Sequence, residues 1–148
     1  MTAIYFDDDV TLEPIRGKSA GIFGFNELGQ ALALNLRDSG VPVFAAPENA
    51  RQQAAAEMDL IPVLNAPDIA RRCDILIFVT PDDALPILYM DEVAPYLKRG
   101  DLLVFTSAYT MAFGVVEPPP FVDVGILAPR TTGASVRSGY DTGQGALT

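Results

Sequence analysis

Residues 19–40, SAGIFGFNELGQALALNLRDSG, decide the fold of this chain. The opening SAGIFGF (19–25) is short and apolar, as a buried strand requires. A helix follows over 27–39, because Leu28, Ala31, Leu32, Asn35 and Leu36 fall on one face at helical spacing. Gly40 stands where a C-terminal cap glycine belongs. Between strand and helix lies Gly24-Phe25-Asn26-Glu27-Leu28-Gly29, the context of a dinucleotide-binding turn. Gly24 permits the tight turn, and Gly29 lets the helix pack close to the sheet. The middle glycine, where backbone would approach a diphosphate, is replaced by Asn26. Asparagine tolerates left-handed dihedrals, yet its side chain still fills space. Two glycines of three make a weak motif, since such turns are more often architecture than cofactor sites.

Outward from this unit, strand and helix patterns alternate, the signature of βαβ units and a parallel sheet. Strands are predicted at 42–46, 61–64, 74–80, 102–106 and 122–127. The segment 61–64 is the weakest of these, and DILIFVT at 74–80 reads as a buried central strand. Helices are predicted over 49–58, 66–72 and from Asp82 and Asp83 toward Met90, with further helical turns over 91–98. Pro118, Pro119 and Pro120 form a rigid connector. The expected fold class is α/β, a Rossmann-like doubly wound and mostly parallel sheet in a single domain over residues 1–140. Beyond Pro129 the apolar pattern fails: residues 131–148 are rich in Gly, Ser and Thr. They read either as a frayed terminus or as a segment completed by further chain, with 141–148 as a tail that begins a missing continuation.

The whole chain has 148 residues, 49% hydrophobic and 20% charged, which is enough for one globular core. Its formal net charge of −9, with no compensating basic patch, argues against nucleic acid or an anionic membrane as partner. Apolar runs such as 75–80 are too short to cross a bilayer. Asp7, Asp8 and Asp9 follow Met1 too closely for a signal peptide, and the lone Cys73 has no disulfide partner, so a cytoplasmic location is expected. The three aspartates read as a solvated acidic edge, and no metal site is predicted. There is no histidine, which removes the commonest general acid/base and the commonest transition-metal ligand.

The opening IYFDDDV, the block GKSAGIFGFNELGQALALNLRDSGV, the block DILIFVTPDDALPILYMDEVAPYLKRGDLLVF and the segment VDVGILAPR together resemble the N-terminal domain of ketol-acid reductoisomerase. The resemblance covers nearly all of residues 4–140, and 33–41 (ALNLRDSGV) is its most specific part. It implies an oxidoreductase that uses NADPH, sometimes NADH, with Mg²⁺. That family couples alkyl migration in an acetohydroxy acid to hydride reduction, in branched-chain amino acid biosynthesis. A nicotinamide dinucleotide and a small 2-hydroxy or 2-keto acid are the implied partners.

Scaffold positions match this family better than chemical ones. The family's Gly-Tyr-Gly-Ser-Gln-Gly turn corresponds to Gly24 through Gly29, so Phe25, Asn26, Glu27 and Leu28 fall at cofactor-contacting positions. Glu27 brings a negative charge toward a diphosphate, worth about 1 kcal/mol of repulsion within roughly 5 Å unless it turns away. Glu48 aligns with the arginine that pairs with a 2′-phosphate, and Arg51 with a downstream phosphate-binding serine. A carboxylate after the second strand suits a ribose 2′-hydroxyl and repels a 2′-phosphate, so NADH is favoured over NADPH. Arg51 is the cation that would offset that repulsion, and Glu48 is equally suited to cap the next helix. Thr80-Pro81-Asp82-Asp83 resembles the family's Leu-Pro-Asp-Glu turn, which makes Asp82, Asp83, Ala84 and Leu85 implied cofactor contacts. Asp82 and Asp83 are also ordinary first-turn carboxylates.

At the reaction centre the family's Phe-Ala-His-Gly becomes Phe105-Thr106-Ser107-Ala108, so Ser107 takes the place of the catalytic histidine. A hydroxyl with no basic neighbour does not relay a proton near pH 7. The Pro-Lys-Gly-Pro-Gly-His loop becomes Pro129-Arg130-Thr131-Thr132-Gly133-Ala134, which keeps a cation at Arg130 and a nicotinamide-approaching glycine at Gly133. The family's Mg²⁺ carboxylates lie in a helical C-terminal domain, so Mg²⁺ is expected only where such a domain is supplied.

Three functions stay open at this point. The leading one is the NAD(P)-binding domain of a reductoisomerase-like oxidoreductase, not competent alone for the family reaction. The others are a degenerate, non-catalytic paralogue acting as a nucleotide-binding or interaction module, and a reductase with a different substrate pocket around Ser107, Tyr109 and Arg130. An incomplete sheet edge also invites a homo-oligomer.

Overall fold

A computed structural model of the chain describes residues 9–144. Asp7, Asp8, most of the IYFDDDV block and the last four residues of the expected tail lie outside them. Five short strands form one all-parallel sheet in the order β2-β1-β3-β4-β5. They are β1 (Ala20–Phe23), β2 (Val43–Ala46), β3 (Ile75–Phe78), β4 (Leu102–Phe105) and β5 (Asp123–Ile126). Helices α1 (Glu27–Asp38) and α2 (Ala50–Met58) follow β1 and β2, and α3 (Ala66–Arg72) leads into β3. The short α4 (Leu85–Ile87) runs on through a π-helical stretch, Leu88–Val93, and a 3-10 turn, Ala94–Tyr96. Then come α5 (Tyr109–Ala112) and α6 (Gly133–Thr142).

Strand alternation divides the core into two layers, one on each face of the sheet. Ala20, Ile22, Val43, Ile75 and Ile77 face α1, α2 and α6, meeting Ala31, Leu32, Ala56 and Val136. Phe23, Leu76, Phe78, Leu103 and Phe105 face α3 and α4, meeting Ile69, Ala70, Leu85, Tyr89 and Val93. This is the doubly wound α/β arrangement, with β1 and β3 buried at every position. Phe23, Phe78 and Phe105 are register partners at the carboxyl ends of three neighbouring strands. Their rings stack at 4.8 and 4.9 Å and make a stiff floor under that edge of the sheet.

Several segments depart from the sequence reading, among them α5 (Tyr109–Ala112), which it did not anticipate. The expected strand at 61–64 is a single bridge, Ala45 with Val63, on the outer side of β2. Pro62 has no N–H to donate, and Leu60 just before it turns at φ 57°, so a longer ladder does not form. Beyond Pro129, where no periodic element was legible, α6 packs along α1 through Gly133, Val136 and Gly139. The helix runs to Thr142.

Candidate functional site

In an open parallel sheet, ligands bind beyond the carboxyl ends of the strands where the strand order reverses. Here that crevice lies between β1 and β3, and the Gly24 turn stands over it. Gly24 adopts φ +86°, a conformation in which a side chain would be strained, and its N–H donates to Ala46 O. A Cβ on Gly29 would come within 2.8 Å of Gly24 O and 2.9 Å of Val79 Cγ2. The helix can therefore start hard against the turn only because Gly29 has no side chain.

Asn26 is the N-cap of α1. Its backbone is extended (φ −72°), so the middle position of this turn needs no glycine. Its Oδ1 accepts from Gly29 N at 3.0 Å, and its Nδ2 donates to Val79 O at 3.0 Å. The side chain is thus drawn inward, tying the start of α1 to the end of β3. Of the four N–H groups that a helix start leaves over, Gly29's is capped, and those of Asn26, Glu27 and Leu28 find no acceptor among the described residues. Two clefts flank the turn. One, of about 460 Å³, is lined by Phe25, Asn26, Glu27, Arg51 and Gln52 among others. The second, of about 360 Å³, includes Gly24, Glu48, Thr80 and Ala84.

The Glu27 carboxylate is engaged by α6 and accepts from Ala134 N at 2.8 Å. Ala134 is the second residue of α6, where the helix dipole favours an anion. Gly133 meets the backbone of the first turn of α1, and a Cβ there would fall 2.3 Å from Glu27 O. Gly133, expected on the nicotinamide side, is therefore seated on the turn at 24–29 itself. Leu28 is half-buried against the core and Phe25 is buried, which leaves mainly their backbones for a ligand.

Glu48 is exposed beside this turn, its Oε1 3.4 Å from where a Gly24 Cβ would stand. It does not cap the next helix, because Asn49 does so by accepting from Gln52 N at 3.0 Å. Gln52 holds the two loops together. Its Oε1 accepts from Phe25 N at 2.6 Å and from Glu48 N at 3.0 Å, and its Nε2 donates to Glu48 Oε2 at 3.0 Å. The sequence reading passed over Gln52, although Asn49-Ala50-Arg51-Gln52 has the spacing of a capping box, which places a Gln at N3. Arg51 is exposed on the same helix turn and lines the first cleft.

Asp82 and Asp83 stand in the turn before α4, whose first helical residue is Leu85. The Leu85 side chain belongs to the core (2% exposed), packed with Phe23, Phe78 and Tyr89. Asp83 and Ala84 are exposed. Asp82 meets the end of β4, where Ser107 Oγ donates to its Oδ2 at 3.0 Å and accepts from Tyr109 N at 3.2 Å. Ser107 therefore has a carboxylate neighbour, and its proton points at it. Arg130 is exposed beyond β5. Among the described residues no group of three or more acidic or Cys side chains is gathered as for a metal ion, and no helix is long and apolar enough to cross a membrane.

Comparison with known proteins bears on this geometry. The family profile described as acetohydroxy acid isomeroreductase, NADPH-binding domain, matches residues 14–148. A ketol-acid reductoisomerase (NADP(+)) of Renibacterium salmoninarum is 35% identical over 146 residues, 98% of this chain and 43% of the relative. One from Sulfurisphaera tokodaii is 37% identical over 98% of this chain and 44% of its own length. The solved structure of an NADH-preferring ketol-acid reductoisomerase from an uncultured archean superposes with a TM-score of 0.91 at 29% identity, covering 98% of this chain and 46% of that one. The chain spans less than half the length of the relatives it matches.

Proposed function

The chain belongs to the family of acetohydroxy acid isomeroreductase NADPH-binding domains, and on that footing we propose that it binds NADH in preference to NADPH, across the turn at 24–29. The free amides of Asn26 and Glu27 would hold the diphosphate, at the positive end of α1. Glu48 would take the adenosine ribose and Ala84 would line its cleft, while Asp82 and Asp83 border it from the turn before α4. Gly133 and Ser107 would lie on the nicotinamide side. Bound there, the nicotinamide supplies hydride.

The observation that carries the preference is the Glu48 carboxylate, held against Gly24 by Gln52. A ribose diol offers two O–H donors to such an acceptor. A 2′-phosphate meets a like charge there, with Arg51 as the nearby cation. Titration calorimetry of the chain with each nucleotide tests it. NADH is expected to bind about tenfold tighter, a difference of about 1.4 kcal/mol, and equal or tighter binding of NADPH refutes the preference.

We also propose that these residues do not carry the isomeroreduction by themselves. Ser107 commits its proton to Asp82, and no histidine stands in the chain to relay one. Binding of the nucleotide asks for no metal, and Mg²⁺ and the acetohydroxy acid would call on a further domain. A role as a nucleotide-binding module without turnover is favoured by the same Ser107–Asp82 bond.

A further inference from the structure

We propose that Gln52 is the positioning residue that sets nucleotide preference at this site: it fixes Glu48 to receive a diol and occupies amides that a 2′-phosphate would need. The inference rests on reading the turn at 24–29 as a nicotinamide-dinucleotide site.

Gln52 is held at both ends. Its N–H is capped by Asn49 Oδ1, and its half-buried side chain leaves α2 to reach the loops after β1 and β2. Two N–H donors lie on one side of its amide and a carboxylate on the other. That arrangement admits one orientation, because a flipped amide would set donor against donor and oxygen against carboxylate. The Oε1 atom does what an oxygen of a bound anion would do, accepting from Phe25 N and Glu48 N together.

The consequence differs for the two nucleotides. A 2′-phosphate brings close to two negative charges and three acceptor oxygens, so it needs donors. The amides of Phe25 and Glu48, just past the ends of the first two strands, are already taken, and the Glu48 carboxylate stands in that corner. A diol brings donors and needs an acceptor. Glu48 Oε1, which carries no bond from another described residue, is that acceptor, while Oε2 is pinned by Gln52 Nε2. Gln52 thus turns a mobile surface glutamate into a directed one. Its effect on NADH passes through the Glu48 carboxylate it holds, and its effect on NADPH through the two amides it occupies as well.

The test is a double-mutant cycle on the full chain with Gln52→Met and Glu48→Gln, reading NADH and NADPH dissociation constants by calorimetry. Methionine keeps the length of the side chain and loses all three hydrogen bonds. Gln52→Met is expected to weaken NADH about tenfold and to leave NADPH unchanged or bound up to about threefold tighter, since it frees the two amides and releases Glu48. In the Glu48→Gln background it should change NADH binding by less than about twofold. Amide exchange without nucleotide is the second readout, with Phe25 and Glu48 N–H protected in the parent chain and faster in Gln52→Met.

Equal weakening of both nucleotides, or the same tenfold loss in both backgrounds, makes Gln52 merely structural and overturns the proposal. So does a parent chain in which those two amides exchange unprotected. A parent that prefers NADH, with a Gln52→Met variant identical to it, overturns the role of Gln52 and leaves the site standing. A parent that binds neither nucleotide overturns both.

Discussion

The two ends of the sheet hold their helices in different ways. On the side of β1 and β2, α1 is anchored by Ala31, Leu32 and Ala33 and capped by Asn26, and both flanking strands bury apolar side chains. On the other side β5 is an edge with Val124 44% and Ile126 54% exposed, and α6 leaves it to lie on α1. That contact is made of Gly133, Val136 and Gly139 at the centre, with Arg137, Tyr140, Ser39 and Asp38 around it. The first helix is held by what its side chains fill. The second is held by how closely its backbone approaches. Both meet at the turn over 24–29, so the proposed site depends on two kinds of packing with different failure modes.

The sharpest way to break this contrast is Gly133→Ala. In an exposed helix alanine is worth about 1 kcal/mol more than glycine. Here its Cβ would stand 2.3 Å from Glu27 O and 2.5 Å from Glu27 C, both backbone atoms without a rotamer to retreat into. We expect a loss of about 3 kcal/mol in urea unfolding, at the upper end of overpacking effects. Nucleotide binding should weaken with it, since the first turn of α1 must shift. A gain in stability would show that α6 does not seat on α1.

Next in size is Asn26→Ala, set against Asn49→Ala. Both remove an N-cap, worth about 1 kcal/mol. Asn26 alone also donates to Val79 O, a part-buried contact, and an abandoned acceptor adds roughly another 1 kcal/mol. Asn26→Ala should therefore cost about 2 kcal/mol and Asn49→Ala about half of that. Equal losses in urea unfolding would mean that the tie between α1 and β3 contributes nothing.

The same contrast explains what was legible. Strands β1 and β3 and helix α1 announce themselves because apolar side chains at regular spacing leave a periodic trace. The turn was legible as a strand–glycine–helix junction, but the replacement at Asn26 read as a defect. Capping geometry makes that residue a tie, since its side chain points into the fold where it meets Gly29 N and Val79 O. Helix α6 was illegible because its buried face is two glycines and one valine, and absent side chains have no hydropathy. Glu27 read as a charge aimed at a diphosphate because its partner, Ala134 N, lies 107 residues away in the chain. Gln52 left a local trace in its capping spacing. Its reach to Phe25 N is tertiary and depends on where β1 ends. Ser107 and Asp82 were read as belonging to different parts of the site, and adjacent strand ends bring them together.

The smallest expected effect lies at the rim of the α6 contact and sharpens the comparison through pH. Arg137 Nη2 stands 2.6 Å from Asp38 Oδ2, and Arg37 Nη2 is 3.0 Å from Asp38 Oδ1. Arg137 first and Arg37 second hold the Asp38 carboxyl below its ordinary range. A carboxyl depressed in the folded state lends stability that is complete above its unfolded pKa, near about 3.9, and drains away as pH falls through the lower folded value. Above pH 5 the urea midpoint should thus carry the pair's contribution in full and not change with pH on its account, and on acidification below about pH 4 the contribution should be lost. Arg137→Ala should flatten that acid limb without abolishing it, because Arg37 remains. These side chains are part exposed, so added salt should shrink the gap between the two chains. An acid limb as steep in Arg137→Ala as in the parent would detach the charge pair from α6 docking. The glycine contact would then be left to hold that helix without help from its rim.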